Sequence, residues 1–218
     1  DLDAAAQAAG FGIFFNQGEM CSAASRLLVE DSIRDEFLEK LVAFAAAMPP
    51  GNPLDPDTRM GAIVDQVQFD TVMGYIEKGQ QEGATLKVGG NRALEETQGW
   101  YVAPTIFDDV RNDMTIAQQE IFGPVLSTIA FDSAEEALAY GNDVRYGLAA
   151  AVWTRDINKA HRVAKSLRAG TVWINCYDAG DLTVPFGGFK ESGNGRDKSL
   201  HALDKYVELK TTWIDLGG

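Results

Sequence analysis

Cys21 is one of only two cysteines in this sequence, and a thiol is the side chain best suited to nucleophilic covalent chemistry. Cys21 lies in the stretch FNQGEMCS, residues 15–22, between a predicted helix and a predicted strand. A nucleophilic thiol needs thiolate character and access, and loops often supply such access. Backbone amides in this loop could also stabilise an oxyanion. A free cysteine taken alone is more often a small buried hydrophobic residue, so other residues must decide.

A cysteine hydrolase would need a histidine base beside its thiol. The sequence has only two histidines, His161 and His201, and each stands among charged residues typical of an exposed surface. A cysteine–histidine pair is therefore disfavoured. Cys176 follows the apolar run TVWIN at the end of a predicted strand, where we expect an inert, packed thiol.

Composition limits the partners that this protein can have. The chain of 218 residues has a formal net charge of -13, which repels phosphate backbones and anionic lipid surfaces. We therefore predict no nucleic acid partner and no membrane partner. Two cysteines are too few for a disulfide framework, and no stretch resembles a signal peptide, so we expect a cytoplasmic protein.

Helical and strand patterns alternate along the chain, which predicts an α/β fold with a mainly parallel sheet covered by helices. The predicted helices cover residues 1–15, 31–48, 65–83, 133–142 and 156–170. The predicted strands cover residues 25–30, 84–90, 101–110, 123–131, 146–154 and 171–177.

Several residues mark the ends or faces of these helices. Asp31 or Ser32 is available to cap the second helix, and Ser133 with Glu136 has the spacing of a capping box. Gly170 stands where the last helix would end. In the helix at 65–83, the apolar face is predicted to include Val67, Val72, Tyr75 and Ile76.

The terminal stretch YVELKTTWIDL, residues 206–216, alternates polar and apolar side chains, as a strand does. It has no obvious partner strand in the sequence. Pairing across a subunit interface and pairing at the edge of the chain's own sheet both remain open.

Two further segments contain glycine without the spacing of a nucleotide loop. The first is EIFGPV, residues 120–125, which opens with a carboxylate. The second is residues 175–197, whose glycines match neither the phosphate-loop pattern nor the Gly-x-Gly-x-x-Gly pattern. We expect a tight loop beside a cleft.

Four motifs in this order resemble the catalytic domain of the aldehyde dehydrogenase superfamily. They are FNQGEMCS (15–22), EIFGPV (120–125), NCY (175–177) and PFGGFK-x-SG (185–193). The resemblance extends over almost the whole chain. It implies an aldehyde dehydrogenase catalytic domain over residues 1–190 and a C-terminal segment over 191–218 that ends in an oligomerisation strand. It also implies that the coenzyme-binding domain is absent from this chain.

The resemblance implies a role for several residues. Cys21 matches the nucleophile that attacks the aldehyde, and its backbone amide matches part of the oxyanion site. Glu120 matches the carboxylate that binds the nicotinamide ribose, Phe122 the aromatic residue beside the nicotinamide, and Gln68 a weaker ribose contact. The implied substrate pocket comprises Met20, Ser22, Tyr177, Asp178 and Phe186. No metal is implied.

Taken alone, some of these residues have equally plain structural interpretations. Phe122 could be a core aromatic residue, Gln68 a solvated helix residue and Phe186 a buried loop anchor.

The resemblance further implies that the general base glutamate and the asparagine of the oxyanion site precede the first residue of this chain. We therefore expect the 218 residues alone to be inactive, because a positioned base contributes about 10²- to 10⁴-fold to the rate. The resemblance implies NAD or NADP as the cofactor, with NAD favoured, and a small-molecule aldehyde as the substrate. A homodimer or homotetramer is expected of the full-length protein.

Within the superfamily, residues 175–214 most resemble γ-glutamyl-γ-aminobutyraldehyde dehydrogenases of putrescine breakdown. Asp178 and Asp181 could attract an ammonium group at the far end of an aminoaldehyde, although turn aspartates are often only solvated. Betaine aldehyde or broad aliphatic specificity is the alternative. A cysteine hydrolase and a non-catalytic domain remain as less favoured classes.

Overall fold

The computed structural model describes residues 1–218. Six α-helices alternate with short strands, as the sequence predicts. The helices are α1 (Leu2–Phe14), α2 (Arg34–Ala46), α3 (Gln66–Gln81), α4 (Thr115–Gln118), α5 (Ala134–Asn142) and α6 (Ile157–Ser166). Three 3₁₀ segments lie at Phe15–Gly18, Asp31–Ile33 and Leu200–Lys205.

Ten strands complete the fold. They are β1 (Arg26–Glu30), β2 (Thr85–Val88), β3 (Arg92–Ala93), β4 (Tyr101–Val102), β5 (Thr105–Asp108), β6 (Val125–Phe131), β7 (Tyr146–Gly147), β8 (Ala149–Val152), β9 (Thr171–Ile174) and β10 (Phe189–Lys190). None of the helices combines the length and the apolar character that crossing a membrane requires.

The central sheet has four strands in the order β1-β6-β5-β2. β1 and β5 each run parallel to β6, and β2 is antiparallel to β5. A second parallel pair is formed by β8 and β9. The prediction of an α/β fold with a mainly parallel sheet is therefore confirmed.

Two apolar cores lie on the two faces of the central sheet. Successive residues of β5 alternate between them, because strand side chains point to opposite faces. Ile106 joins the core beneath α1 and α2, whereas Phe107 joins the core beneath α3. The α1 and α2 side includes Phe14 and Leu41, both fully buried.

Local helix signals were only partly correct. Ser133 caps α5 by accepting a hydrogen bond from the Glu136 N–H at 3.2 Å. Glu136 itself accepts from the Asp132 N–H at 2.8 Å, so the capping box is displaced by one residue. The prediction that Asp31 or Ser32 caps α2 is wrong, because these residues form a 3₁₀ turn and α2 starts without a side-chain cap.

Two further local expectations are corrected. Gly170 does not end α6, which stops at Ser166. Gly170 instead allows close backbone approach, since a Cβ there would overlap the carbonyl oxygen of Gly187. Val67 is 75% exposed, and Phe69 takes its place on the buried face of α3.

The terminal segment is also different from the prediction. Residues 207–218 form no strand and pair with no strand of this chain, so the edge-strand interpretation is wrong. An extended segment without a neighbour cannot make ladder hydrogen bonds. Apolar side chains there are exposed: Leu209, Trp213, Ile214 and Leu216.

Candidate active site

Cys21 lies, as predicted, in the connection between α1 and β1, and it is exposed. The chain enters this connection through three consecutive residues with positive φ: Asn16 at 49°, Gln17 at 57° and Gly18 at 74°. Left-handed backbone is unfavourable for side chains other than glycine. The structure therefore holds the approach to Cys21 in a fixed, strained turn, a feature often found at functional sites.

The amide of Cys21 is available for a ligand. Its N–H donates no hydrogen bond to any group of this chain, whereas the Ala23 N–H donates to the Met20 carbonyl at 3.0 Å and the Ala24 N–H to the Gly12 carbonyl at 3.0 Å. An unpaired amide beside an exposed sulfur is the arrangement that an oxyanion site needs.

Two side chains of the approach hold the neighbouring loop. The Oε1 atom of Gln17 accepts from the Gly61 N–H at 3.0 Å, and the Oε1 atom of Glu19 accepts from the Val64 N–H at 3.2 Å. Sequence reasoning assigned no role to Gln17 or Glu19. Their only signal was the occurrence of an amide and a carboxylate in a turn, which does not specify a partner.

The EIFGPV loop packs directly against this approach. Gly123 lies against Gly18, and a Cβ on Gly18 would overlap the Gly123 carbonyl oxygen. Glu120 is exposed, and Phe122 is 38% exposed with a φ of 55°. The core interpretation of Phe122 is wrong, because the core residue of this run is Ile121, which is 2% exposed.

Gln68 reaches the same loop from the first turn of α3. Its Nε2 atom donates to the carbonyls of Ile121 at 2.9 Å and Phe122 at 2.8 Å. The interpretation of Gln68 as a merely solvated helix residue is therefore wrong. Its side chain is part of the support for the loop that carries Glu120 and Phe122.

The loop after β9 closes on the cysteine loop from the other side. The Tyr177 hydroxyl donates to the carbonyl of Ser22, and the Ser22 hydroxyl donates to Asp178 Oδ1 at 3.4 Å. The Tyr177 ring packs on Trp173 with 4.9 Å between ring centroids. Burial, and then the nearby carboxylate of Asp178, raise the pKa of Tyr177, so its hydroxyl remains a donor.

Asp181 and Phe186 lie in the remainder of this loop. Asp181 accepts from both the N–H and the hydroxyl of Thr183, each at 2.7 Å, and these bonds hold its pKa below the ordinary value. Phe186 is half-buried and exchanges two backbone hydrogen bonds with Asp197. It is thus an anchor of the loop, and its role as a pocket wall stays a prediction.

A cavity of about 1240 Å³ brings several of these residues together. Cys21, Glu120 and Tyr177 all line it, although they come from three distant parts of the sequence. Apolar residues of β1 and β8, such as Leu28 and Val152, are among the other residues that line it. Met20, Ser22, Gln68, Phe122, Asp178 and Phe186 do not line it, so their predicted ligand contacts remain predictions.

The histidines that a cysteine hydrolase would need, and the second cysteine, do not line this cavity. His161 and His201 are both exposed, the first on α6 and the second in the 3₁₀ segment at 200–205. His201 Nδ1 lies 3.7 Å from Asp204 Oδ2. Cys176 is half-buried just after β9. No group of three or more His, Cys, Asp or Glu side chains is arranged to hold a metal ion.

Comparison with known proteins shows which family this chain resembles. The model of the aldehyde dehydrogenase family matches residues 1–212. The NADP/NAD-dependent aldehyde dehydrogenase PuuC of Escherichia coli is 52% identical over 216 residues, which cover 99% of this chain and 43% of that protein. The chain thus spans less than half the length of this relative.

Solved structures agree closely with the fold. A mutant of the indole-3-acetaldehyde dehydrogenase AldA of P. syringae, in complex with NAD+ and IAA, superimposes with a TM-score of 0.96 and 61% identity, covering 99% of this chain and 44% of that one. The γ-glutamyl-γ-aminobutyraldehyde dehydrogenase of Burkholderia cenocepacia superimposes with a TM-score of 0.94 and 60% identity, covering 97% and 43%. The chain therefore belongs to the aldehyde dehydrogenase family.

Proposed function

We propose that the protein containing this chain oxidises an aldehyde to a carboxylic acid with NAD or NADP as acceptor, and that Cys21 is the nucleophile. The observation that carries the proposal is the exposed thiol of Cys21 beside its own unpaired amide, in a cavity that Glu120 also lines. Because the chain spans less than half the length of PuuC, the proposed activity is that of the whole protein.

The chemistry at Cys21 proceeds in two stages. The thiolate sulfur forms a bond to the carbonyl carbon, and the carbonyl π electrons move to the oxygen, where the Cys21 N–H stabilises the charge. The aldehyde hydrogen then leaves with its electron pair, and the oxygen re-forms its double bond to give a thioester on Cys21. The oxygen of a water molecule then forms a bond to the thioester carbon, and the carbon–sulfur bond breaks with its electron pair returning to the Cys21 sulfur. One water proton stays on the carboxylic acid that leaves, and the other passes to the sulfur or to solvent.

The loop that carries Glu120 and Phe122 has side chains suited to contact the nicotinamide half of NAD or NADP. The carboxylate of Glu120 is exposed and can accept hydrogen bonds from ribose hydroxyls. The partly exposed ring of Phe122 can pack on a planar heterocycle. Nicotinamide, when bound there, supplies the acceptor for the hydrogen and electron pair of the aldehyde. NAD is favoured over NADP.

We propose an aminoaldehyde of polyamine catabolism as the substrate, with Asp178 as the residue that attracts its ammonium group. Asp178 accepts a hydrogen bond from Ser22, the residue that follows the nucleophile in the sequence. Asp181 instead accepts from Thr183 and lies near the positive charge of Lys198. This difference supports Asp178 alone. Names of relatives do not decide the point, since structures at 60% and 61% identity are named for different aldehydes.

A homodimer or homotetramer is proposed for the full-length protein. The exposed apolar side chains of residues 207–216 are the surface that supports it, because such residues are normally covered in a soluble assembly. A cytoplasmic location stays a prediction, supported by two cysteines that are both unpaired.

The test is formation of reduced cofactor by the whole gene product that contains these 218 residues. Neutral and aminated aldehydes are compared, each with NAD and with NADP, beside the variants Cys21→Ser and Cys176→Ser. We expect Cys21→Ser to lose more than about 100-fold in kcat/KM, because the covalent route is removed. Cys176→Ser should keep wild-type activity. Equal activity of Cys21→Ser and wild type would contradict the proposed nucleophile.

A further inference from the structure

Both N–H groups of the Gln68 side chain donate hydrogen bonds to the EIFGPV loop. A side-chain amide nitrogen carries two hydrogens. Nε2 of Gln68 lies 2.9 Å from the carbonyl oxygen of Ile121 and 2.8 Å from that of Phe122. Each hydrogen therefore has one carbonyl, and only the Oε1 atom of Gln68 remains free to meet a ligand.

The two carbonyls have no other partner in the main chain. Neither Ile121 nor Phe122 accepts a backbone hydrogen bond. Phe122 has a φ of 55°, and a left-handed conformation in a residue with a large side chain persists only where its surroundings enforce it. Gln68 supplies the hydrogen bonds that fix the two peptide planes around this strained residue.

Gln68 is itself held firmly. Asp65 caps α3 and accepts from the Gln68 N–H at 2.8 Å. One turn later, Val72 is fully buried and packs against the same loop, since a Cβ on Gly123 would lie 2.5 Å from its Cγ2 atom. The first two turns of α3 thus support both ends of the segment from Ile121 to Gly123.

We propose that Gln68 is a positioning residue, which acts through the main chain of Ile121 and Phe122 to set the direction of the Phe122 ring and the Glu120 carboxylate. This inference rests on the proposed function for its consequence in catalysis. It assigns to the Gln68 amide a different role from the predicted ribose contact, which could use only Oε1.

Gln68→Glu separates the two roles. The substitution keeps the shape and an acceptor oxygen but replaces the two donors by an anion that repels both carbonyls. If Gln68 positions the loop, the dissociation constant for NAD should rise by about 10-fold. If Gln68 only accepts from ribose, Gln68→Glu should bind NAD at least as tightly as wild type. Gln66→Glu is the matched control, because it makes the same charge change at an exposed position of the same turn.

A cofactor-free measurement keeps this test independent of the proposed function. The amides of Gln119 and Val125 bracket the loop and donate hydrogen bonds of 2.9 and 2.8 Å. In the whole gene product without cofactor, Gln68→Glu should speed their hydrogen exchange by about 10-fold relative to Gln66→Glu. Unchanged exchange would overturn the positioning role even if NAD binding weakened. Faster exchange in a protein that binds no NAD would leave the positioning role intact and overturn the proposed function.

Gln68→Met is a second variant, which tests the proposal if the charged variant Gln68→Glu does not fold. It keeps the length of the side chain and removes both donors without adding charge. It should show the same faster exchange at Gln119 and Val125, and wild-type exchange in this variant would also overturn the proposal.

Discussion

Gly18 and Gly123 are in direct backbone contact, and this contact joins the loop of the nucleophile to the loop of Glu120. A Cβ on Gly18 would overlap the Gly123 carbonyl oxygen, and a Cβ on Gly123 would press on Val72. Gly18 is thus required by its approach to Gly123, and Gly123 by its own packing against Val72. These two contacts give each motif a packing reason for its glycine.

Gly18→Ala should therefore displace the nucleophile loop. The new methyl group overlaps the carbonyl of Gly123, and a φ of 74° is unfavourable for alanine, so we expect a loss of about 1–3 kcal/mol in the free energy of unfolding. Denaturant unfolding of the whole gene product measures it. Gly74→Ala is the control, because nothing lies within 4 Å of its Cβ position in α3. That helical substitution should be neutral or stabilising by up to about 1 kcal/mol.

Tyr177→Phe should destabilise the loop that carries Cys21, because it removes one hydrogen bond and leaves the aromatic ring in place. The ring remains packed on Trp173, but the carbonyl of Ser22 loses its donor, which should cost about 1–3 kcal/mol of stability. The raised pKa of Tyr177 gives this loss a pH dependence. The contribution is full below the unfolded pKa of about 10 and declines as the pH rises from there through the higher folded pKa.

Unfolding of wild type and Tyr177→Phe between about pH 7 and pH 11 measures this difference. Tyr206→Phe is the matched control, because Tyr206 is exposed and its hydroxyl makes no hydrogen bond within the chain. A difference that is already gone at about pH 8 would contradict the assigned hydrogen bond.

Asp178→Asn should raise the KM for cationic aldehydes by about 5-fold and leave the KM for neutral aldehydes nearly unchanged. The asparagine oxygen can still accept from Ser22, so the change is mainly one of charge. Steady-state kinetics with paired aminated and neutral aldehydes measures the ratio. Asp181→Asn is the comparison and should change that ratio less. Equal effects on both substrates would exclude Asp178 as the charge that selects them.

Glu82→Gln should destabilise the protein at neutral pH and not at low pH. Hydrogen bonds from Thr115 hold the pKa of Glu82 below its ordinary value, with Lys78 adding to the effect. A lowered pKa stabilises the folded state above the unfolded pKa of about 4.3, and this stabilisation disappears as the pH falls through the folded value.

Thermal unfolding across pH 3 to 7 of the wild type, Glu82→Gln and the exposed control Glu39→Gln tests this prediction. The gap between wild type and Glu82→Gln should close on acidification, while Glu39→Gln should stay close to wild type throughout. A gap that is constant with pH would show that the Glu82 carboxylate is not the cause.

Local patterns predicted what depends on neighbours in sequence. The period of α3 and the capping of α5 by Ser133 are short-range features, and both are present. Predictions failed where a distant contact competes with the local signal. Gly170 looks like the end of a helix, yet it serves a close approach to Gly187. The terminal segment has the alternation of a strand, but alternation cannot supply a partner.

The sequence by itself determined the chemical character of this protein: a cysteine in an exposed loop, an acidic and an aromatic residue in a second loop, and an alternating α/β framework. Only the tertiary structure decided which residues meet. It placed Cys21, Glu120 and Tyr177 on one cavity, and it separated Asp178 from the locally engaged Asp181. It also showed that Gln68 donates to the main chain of Phe122. The physical reason is that hydrogen bonds and close packing between distant segments depend on the three-dimensional path of the chain, which residue type and local periodicity do not specify.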